Sequence, residues 1–193
     1  MIRSLRPLVA VGAAFLAVVT ASAALAQAAP ETPEQVAQQY LTAVRDTNWI
    51  AAAQLMHPSA LAQFHDMFRP VLQCEGQEVA QAREALFGLH SLAEATRVSD
   101  TVLMASLLRF GTTRREGLAD VLRTAQMQVI GHVPEGADTV HVLTRLTFAL
   151  DSIRVSQVEV ISFRRFGATW RTLLKADISA MGAMLRRLCS AGS

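Results

Sequence analysis

Gln126–Leu174 reads QMQVIGHVPEGADTVHVLTRLTFALDSIRVSQVEVISFRRFGATWRTLL, four strand-like runs parted by short turn signals, and this stretch decides the fold. Met127, Val129 and Val133 alternate with Gln126, Gln128 and His132. Val133-Pro134-Glu135-Gly136 then puts Pro and Gly at the second and fourth positions of a type I turn. Val140, Val142, Leu146 and Phe148 alternate with His141, Leu143, Arg145 and Thr147, and Asp151-Ser152 turns the chain. Val158, Val160 and Ser162 alternate with Glu159, Ile161 and Phe163 before Phe166-Gly167 leads into Thr169–Leu174. Strands linked this closely are antiparallel neighbours. The stretch therefore predicts a four-stranded meander with one strongly apolar face.

Upstream of it the signals are helical. Thr32 is a good N-cap, Pro33 suits the first helical position and Gln35 completes a capping box. Val36, Tyr40 and Val44, with Leu41 beside them, give that helix one apolar face. Asp46-Thr47-Asn48 breaks it, and Trp49, Ala52, Ala53 and Met56 begin a second, shorter helix that His57-Pro58 ends. Leu61, Phe64, Phe68, Val71 and Leu72 form the stripe of a third helix, with His65 at its edge, and Val79, Ala82 and Leu86 support a brief fourth. Ser91 and Glu94 suggest a capped turn, Asp100 a helix cap with Gly111 as its stop, and Thr113 a further short turn. Asp177 caps a last helix through Ile178, Met181, Leu185 and Leu188. The expected class is α+β: N-terminal helices over 31–123 packed on a curved four-stranded antiparallel meander over 124–175, followed by a C-terminal helix over 177–189. The helical stripes are expected to cover the apolar sheet face.

The first 26 residues have the order of a secretory signal peptide: Arg3 and Arg6, the apolar run Leu8–Val19, then Ala24-Leu25-Ala26. The apolar core is shorter than the roughly 20 residues a spanning helix needs. Export to the periplasm or medium is therefore expected, with residues 27–193 as one domain and no membrane association after cleavage. Of 18 basic side chains, two lie in that leader, leaving 16 against 16 acidic ones. A neutral chain lacks the electrostatic footprint of a nucleic-acid binder. In an oxidising compartment, Cys74 and Cys189 suggest a disulfide, with two buried thiols as the other reading.

Thr32-Pro33-Glu34, Tyr40-Leu41-Thr42-Ala43-Val44, Asn48-Trp49 and Leu55-Met56, followed by the terminal meander, resemble the NTF2-like (cystatin-like, cone-shaped) superfamily, which includes ketosteroid isomerases and polyketide cyclases. Gly131–Arg145 is similar to exported bacterial proteins of that fold with no settled activity. The resemblance implies a cavity closed by helices over a curved sheet. In the isomerases a Tyr on the first helix acts with two pocket acids; Tyr40 sits on the matching helix, and neither acid has a counterpart.

Proton transfer beside a carbonyl needs a base and a donor within reach of one substrate atom. Tyr40 is the candidate donor, and His57 and Asp177 are the candidate bases. Each also has a plainer reading, Tyr40 as a core aromatic and His57 as a helix-ending residue. His141 and Arg145 share one strand face, opposite the apolar one, and are candidates for a subunit contact or an anion contact. The five histidines and two cysteines show no metal-ligand spacing, so neither metal nor cofactor is expected. The reading these residues favour is an exported, non-catalytic domain with a small apolar cavity. It would bind a small hydrophobic ligand or act as an interaction module, with a homodimer through the sheet as one form. The alternative is an isomerase- or cyclase-like enzyme using Tyr40 with an ionisable partner.

Overall fold

A capping box opens the first helix, α1 (Pro33–Arg45): the Thr32 hydroxyl accepts from Gln35 N at 3.3 Å, and the Gln35 side chain accepts from Thr32 N at 2.8 Å. The computed structural model describes residues 31–114, 117–150, 152–175 and 178. The expected leader, Asp177, Cys189 and, apart from Ile178, the C-terminal helix expected over 177–189 lie outside them. Six more helices follow α1: α2 (Trp49–Gln54), α3 (Pro58–Gln73), α4 (Gln77–Phe87), α5 (Leu92–Ala95), α6 (Asp100–Thr113) and α7 (Leu118–Arg123). Four strands complete the described part, β1 (Gln126–Glu135), β2 (Thr139–Leu150), β3 (Ile153–Phe166) and β4 (Thr169–Thr172), paired antiparallel in chain order. The class is α+β, helices first and then the meander, as the sequence predicts.

Local expectations change at three places. The first hairpin turn lies later than predicted, over 136–138 with Gly136 at φ 66, because β1 continues through Pro134 and Glu135. Pro134 is tolerated there because β1 is an edge strand, where a missing N–H need not break a ladder. Gly111 does not stop α6. The helix runs to Thr113, whose hydroxyl, like that of Thr112, bonds back to carbonyls one turn earlier. The N-cap of α6 is Ser99, its hydroxyl accepting from Val102 N, and Asp100 instead bonds His65 Nδ1 on α3 at 2.7 Å.

The third change concerns which side chains of β1 face the helices. Val129 pairs with Thr144, but the next paired residue, Gly131, faces Leu143, so Ile130 is the extra residue of a bulge. Alternation slips by one there. His132 joins Met127 and Val129 on the helix side, 3.0 Å from Glu34 on α1, and Val133 turns out to solvent, 63% exposed.

Two cores result, where the sequence led us to expect all helical stripes on the sheet. Val36 and Ala37 of α1 pack on Val140, Val142 and Phe163, with Trp170 and Ile161 alongside. Phe64, Phe68 and Leu72 of α3 pack instead with Phe87, Leu103 and Met104, so α3, α4 and α6 share a core of their own. The third helix has too broad an apolar face to be satisfied by one sheet surface, and α4 and α6 supply the rest. Arg83 is buried in this helical layer and donates to the carbonyls of Val71 (3.2 Å) and Cys74 (3.4 Å), holding the α3 C-terminus. Cys74 is not a free thiol; Cys189, its expected partner, is outside the described residues.

Two of the ties between the helical and sheet parts lie at β4. Backbone bonds His57 N to Thr172 O (2.8 Å) and Thr172 N to Leu55 O (2.9 Å) join the α2–α3 junction to the β4 edge. At the start of α1, Glu31 accepts from Thr169 on β4 and from Gln39 Nε2 at 2.6 Å. The Thr169 hydrogen bond, aided by Gln39 and Arg171 and opposed by burial, holds the Glu31 carboxyl below its ordinary 4.5. A depressed carboxyl stabilises the fold above its unfolded value, and that stabilisation is lost as pH falls through the folded one. Thermal melts should therefore show a fall in melting temperature on acidification below about 4.5 that is smaller in Glu31→Gln. Equal acid slopes in the two proteins would remove Glu31 from the account.

Candidate functional site

Where the two cores meet, neither fills the space. A cavity of about 270 Å³ lies between the helix side of the sheet and α1, α6 and α7. On α1, Ala37, Tyr40, Leu41 and Val44 line it, the i, i+3, i+4 and i+7 positions of one helical face. Met104 and Leu108 of α6 and Leu122 of α7 close the side. Met127, Thr144, Leu146 and Ile161 form the sheet floor. The lining is mostly apolar, with its polar groups coming from Tyr40, Thr144, Glu159, Thr172 and Lys175.

Tyr40 is the only tyrosine of the chain. Its hydroxyl makes no hydrogen bond to another described residue. Burial, and secondarily the negative charge of Glu159, push its pKa above the ordinary 10.0, so it stays a protonated donor across physiological pH. Glu159 faces the same space because it alternates with Val158 and Val160 and shares a side with Ile161 and Phe163. Its two carboxylate oxygens are both engaged, Oε1 by Gln157 Nε2 and Oε2 by Lys175 Nζ, each at 2.5 Å. Thr144, directly opposite on β2, donates to the Glu159 carbonyl at 3.2 Å. The apolar cavity thus has one polar wall with an ion pair across it and a free hydroxyl beside it.

Comparison with protein-family models, curated proteins and solved structures finds no match.

The candidate residues read from the sequence separate. Tyr40 lines the cavity, and Asp177 is outside the described residues. His57 is not among the cavity residues: it caps α3, its Nδ1 accepting from Ser59 N at 3.1 Å, and its ring meets Phe166 edge-on at 5.6 Å. Burial, then the Arg164 charge, lower its pKa below 6.5, with Asp138 opposing. His141 and Arg145 lie on the outer sheet face, as predicted from alternation. His141 does not pair with Arg145; its Nδ1 lies 2.8 Å from Ser162 Oγ and its Nε2 2.7 Å from Glu135 Oε2. Around them Val133, Val158 and Val160 are more than half exposed. Among the described residues no three His, Cys, Asp or Glu side chains are grouped to hold a metal, and no helix is long and apolar enough to cross a membrane.

Glu159 and Lys175 are the site residues sequence reasoning missed. The signal for Glu159 was its two-residue spacing from Ile161 and Phe163, which puts all three on one side of β3. Both faces of β3 carry large apolar residues there, so alternation alone did not say which side was inside.

Proposed function

We propose that this chain is an exported binding domain that holds a small, mostly apolar molecule between its helices and sheet. The observation that carries this reading is the unpartnered Tyr40 hydroxyl facing an apolar cavity. Tyr40 is half-buried, and its hydroxyl is a donor that a ligand acceptor atom can engage inside an otherwise apolar lining. At about 270 Å³ the space is just below the usual range for drug-sized ligands, so the occupant is compact, with one carbonyl or hydroxyl oxygen at the Tyr40 end. The basic and apolar order of the first 26 residues supports export. The helices-then-meander order agrees with the NTF2-like resemblance.

Catalysis by proton transfer would use Tyr40 as donor and Glu159 as base, since both line this cavity. Lys175 and Gln157 already occupy the Glu159 oxygens, which favours binding over base chemistry. A panel of small apolar ketones and alcohols should contain members that raise the melting temperature. Tyr40→Phe should weaken them about 2–10-fold, the net worth of one hydrogen bond. A panel without a single stabilising member would remove the ligand-binding reading.

A second reading has its own observation. Val133, Val158 and Val160 expose aliphatic surface on the outer sheet face, beside Arg145, and contiguous apolar surface of this kind marks contact sites. It supports a homodimer through that face. Light scattering should then give twice the monomer mass, reverting to the monomer in Arg145→Glu; a monomer at high concentration excludes it.

A further inference from the structure

Away from the apolar cavity, a cleft of about 320 Å³ opens near the end of the β2–β3 hairpin. Three arginines from three elements line it: Arg45 ends α1, Arg123 ends α7 and Arg154 is the second residue of β3. Thr124, Gln126 and Thr147 supply its other polar side chains, and no carboxylate is among the lining residues. Arg123 is paired with Asp120. Arg45 and Arg154 have no ion-pair partner among the described residues.

Helix dipoles account for an arginine in the last turn of α1 and of α7. They do not account for Arg154, which sits on a strand opposite Ala149 and faces the same cleft. Asp120 offsets the charge of Arg123, so Arg45 and Arg154 carry the unpaired positive charge of the cleft, and an anion between them is attracted by both. Guanidinium forks match the paired oxygens of phosphate-type anions, and Thr147 offers a hydroxyl donor, whereas the Thr124 hydroxyl is already given to the Val121 carbonyl.

We propose that this cleft is a binding site for a phosphate-type oxyanion, either free in solution or carried as a lipid headgroup. It shares no lining residue with the Tyr40 cavity and does not depend on what that cavity holds.

The test is calorimetric titration of the folded protein with inorganic pyrophosphate, against sodium chloride of matched ionic strength. Sedimentation with phosphatidylcholine vesicles, plain or containing phosphatidic acid, forms the second arm. Arg154→Gln and Arg45→Gln are the variants, and Arg97→Gln, an exposed arginine outside the cleft, controls for net charge. Saturable pyrophosphate binding that weakens about tenfold in both cleft variants and stays within twofold in the control supports the site with a soluble anion. Binding only to the phosphatidic acid vesicles, with the same variant pattern, supports it with a headgroup. The two cleft variants alter different elements, so a folding defect in one leaves the other to decide. No saturable binding in either arm, or equal affinities in cleft and control variants, overturns the proposal.

Discussion

Phe68→Ala should cost about 3–5 kcal/mol of stability, the usual range for emptying a buried phenylalanine site. Phe68 is fully buried, with the Phe64 ring centroid 4.6 Å away and the Phe87 ring edge-on at 5.2 Å. It joins α3 to α4 in the helical core, so its loss removes contacts on two elements at once. Against a typical total of about 5–15 kcal/mol, the variant should melt roughly 6–20 °C lower. Urea unfolding followed by far-ultraviolet circular dichroism and by tryptophan fluorescence adds a further discrimination. Trp49 packs against the helical core and Trp170 against the sheet core. If the two cores unfold as one, both signals shift together in Phe68→Ala. A cost below about 1 kcal/mol would contradict the packing described for α3.

Ile161→Trp should abolish ligand binding while leaving the fold in place. Ile161 sits on the cavity floor between Glu159 and Phe163, and an indole there projects into the empty volume. Overpacking a filled core costs about 1–3 kcal/mol; here the space is already open, so the cost should fall at the low end. Binding of whichever compound stabilises the parent should drop about 100-fold, equivalent to about 2.8 kcal/mol. Retained affinity in a variant that still folds would place the ligand elsewhere. Tyr40→Phe and Ile161→Trp separate two contributions: the first removes a donor and keeps the space, the second removes the space and keeps the donor.

Much of the architecture was legible because its signals are local. Thr32, Pro33 and Gln35 announce α1 within one turn, and the Phe166-Gly167 turn closes on Phe166 and Thr169 with Gly167 at φ 60. What was not legible depends on partners distant in sequence. The bulge at Ile130 exists only as a mismatch between β1 and β2, and it decides which side His132 and Val133 occupy. The stripe of α3 announced burial without saying against what, so the separate helical core appeared only with α4 and α6 beside it. Of the cavity, Tyr40 was readable from its place on the α1 face. Glu159 and Lys175 were not, since their pairing spans a strand and the segment after β4. The arginine cleft likewise collects residues from three separated elements, each ordinary where it stands.

The joining of the α2–α3 junction to β4 also bears on how the protein behaves when crowded. A sheet edge with free N–H and C=O groups is a template for another chain. At β4, Leu55 and His57 already occupy backbone groups of Thr172 through a parallel bridge at Met56. At β1, the Gln38 side chain takes the Met127 carbonyl at 3.1 Å, the bulge at Ile130 breaks the regular spacing, and Pro134 has no N–H to offer. Both ends of the meander therefore resist strand addition. A sheet with this much aliphatic surface on its outer face is thereby guarded against growing into fibrils edge to edge.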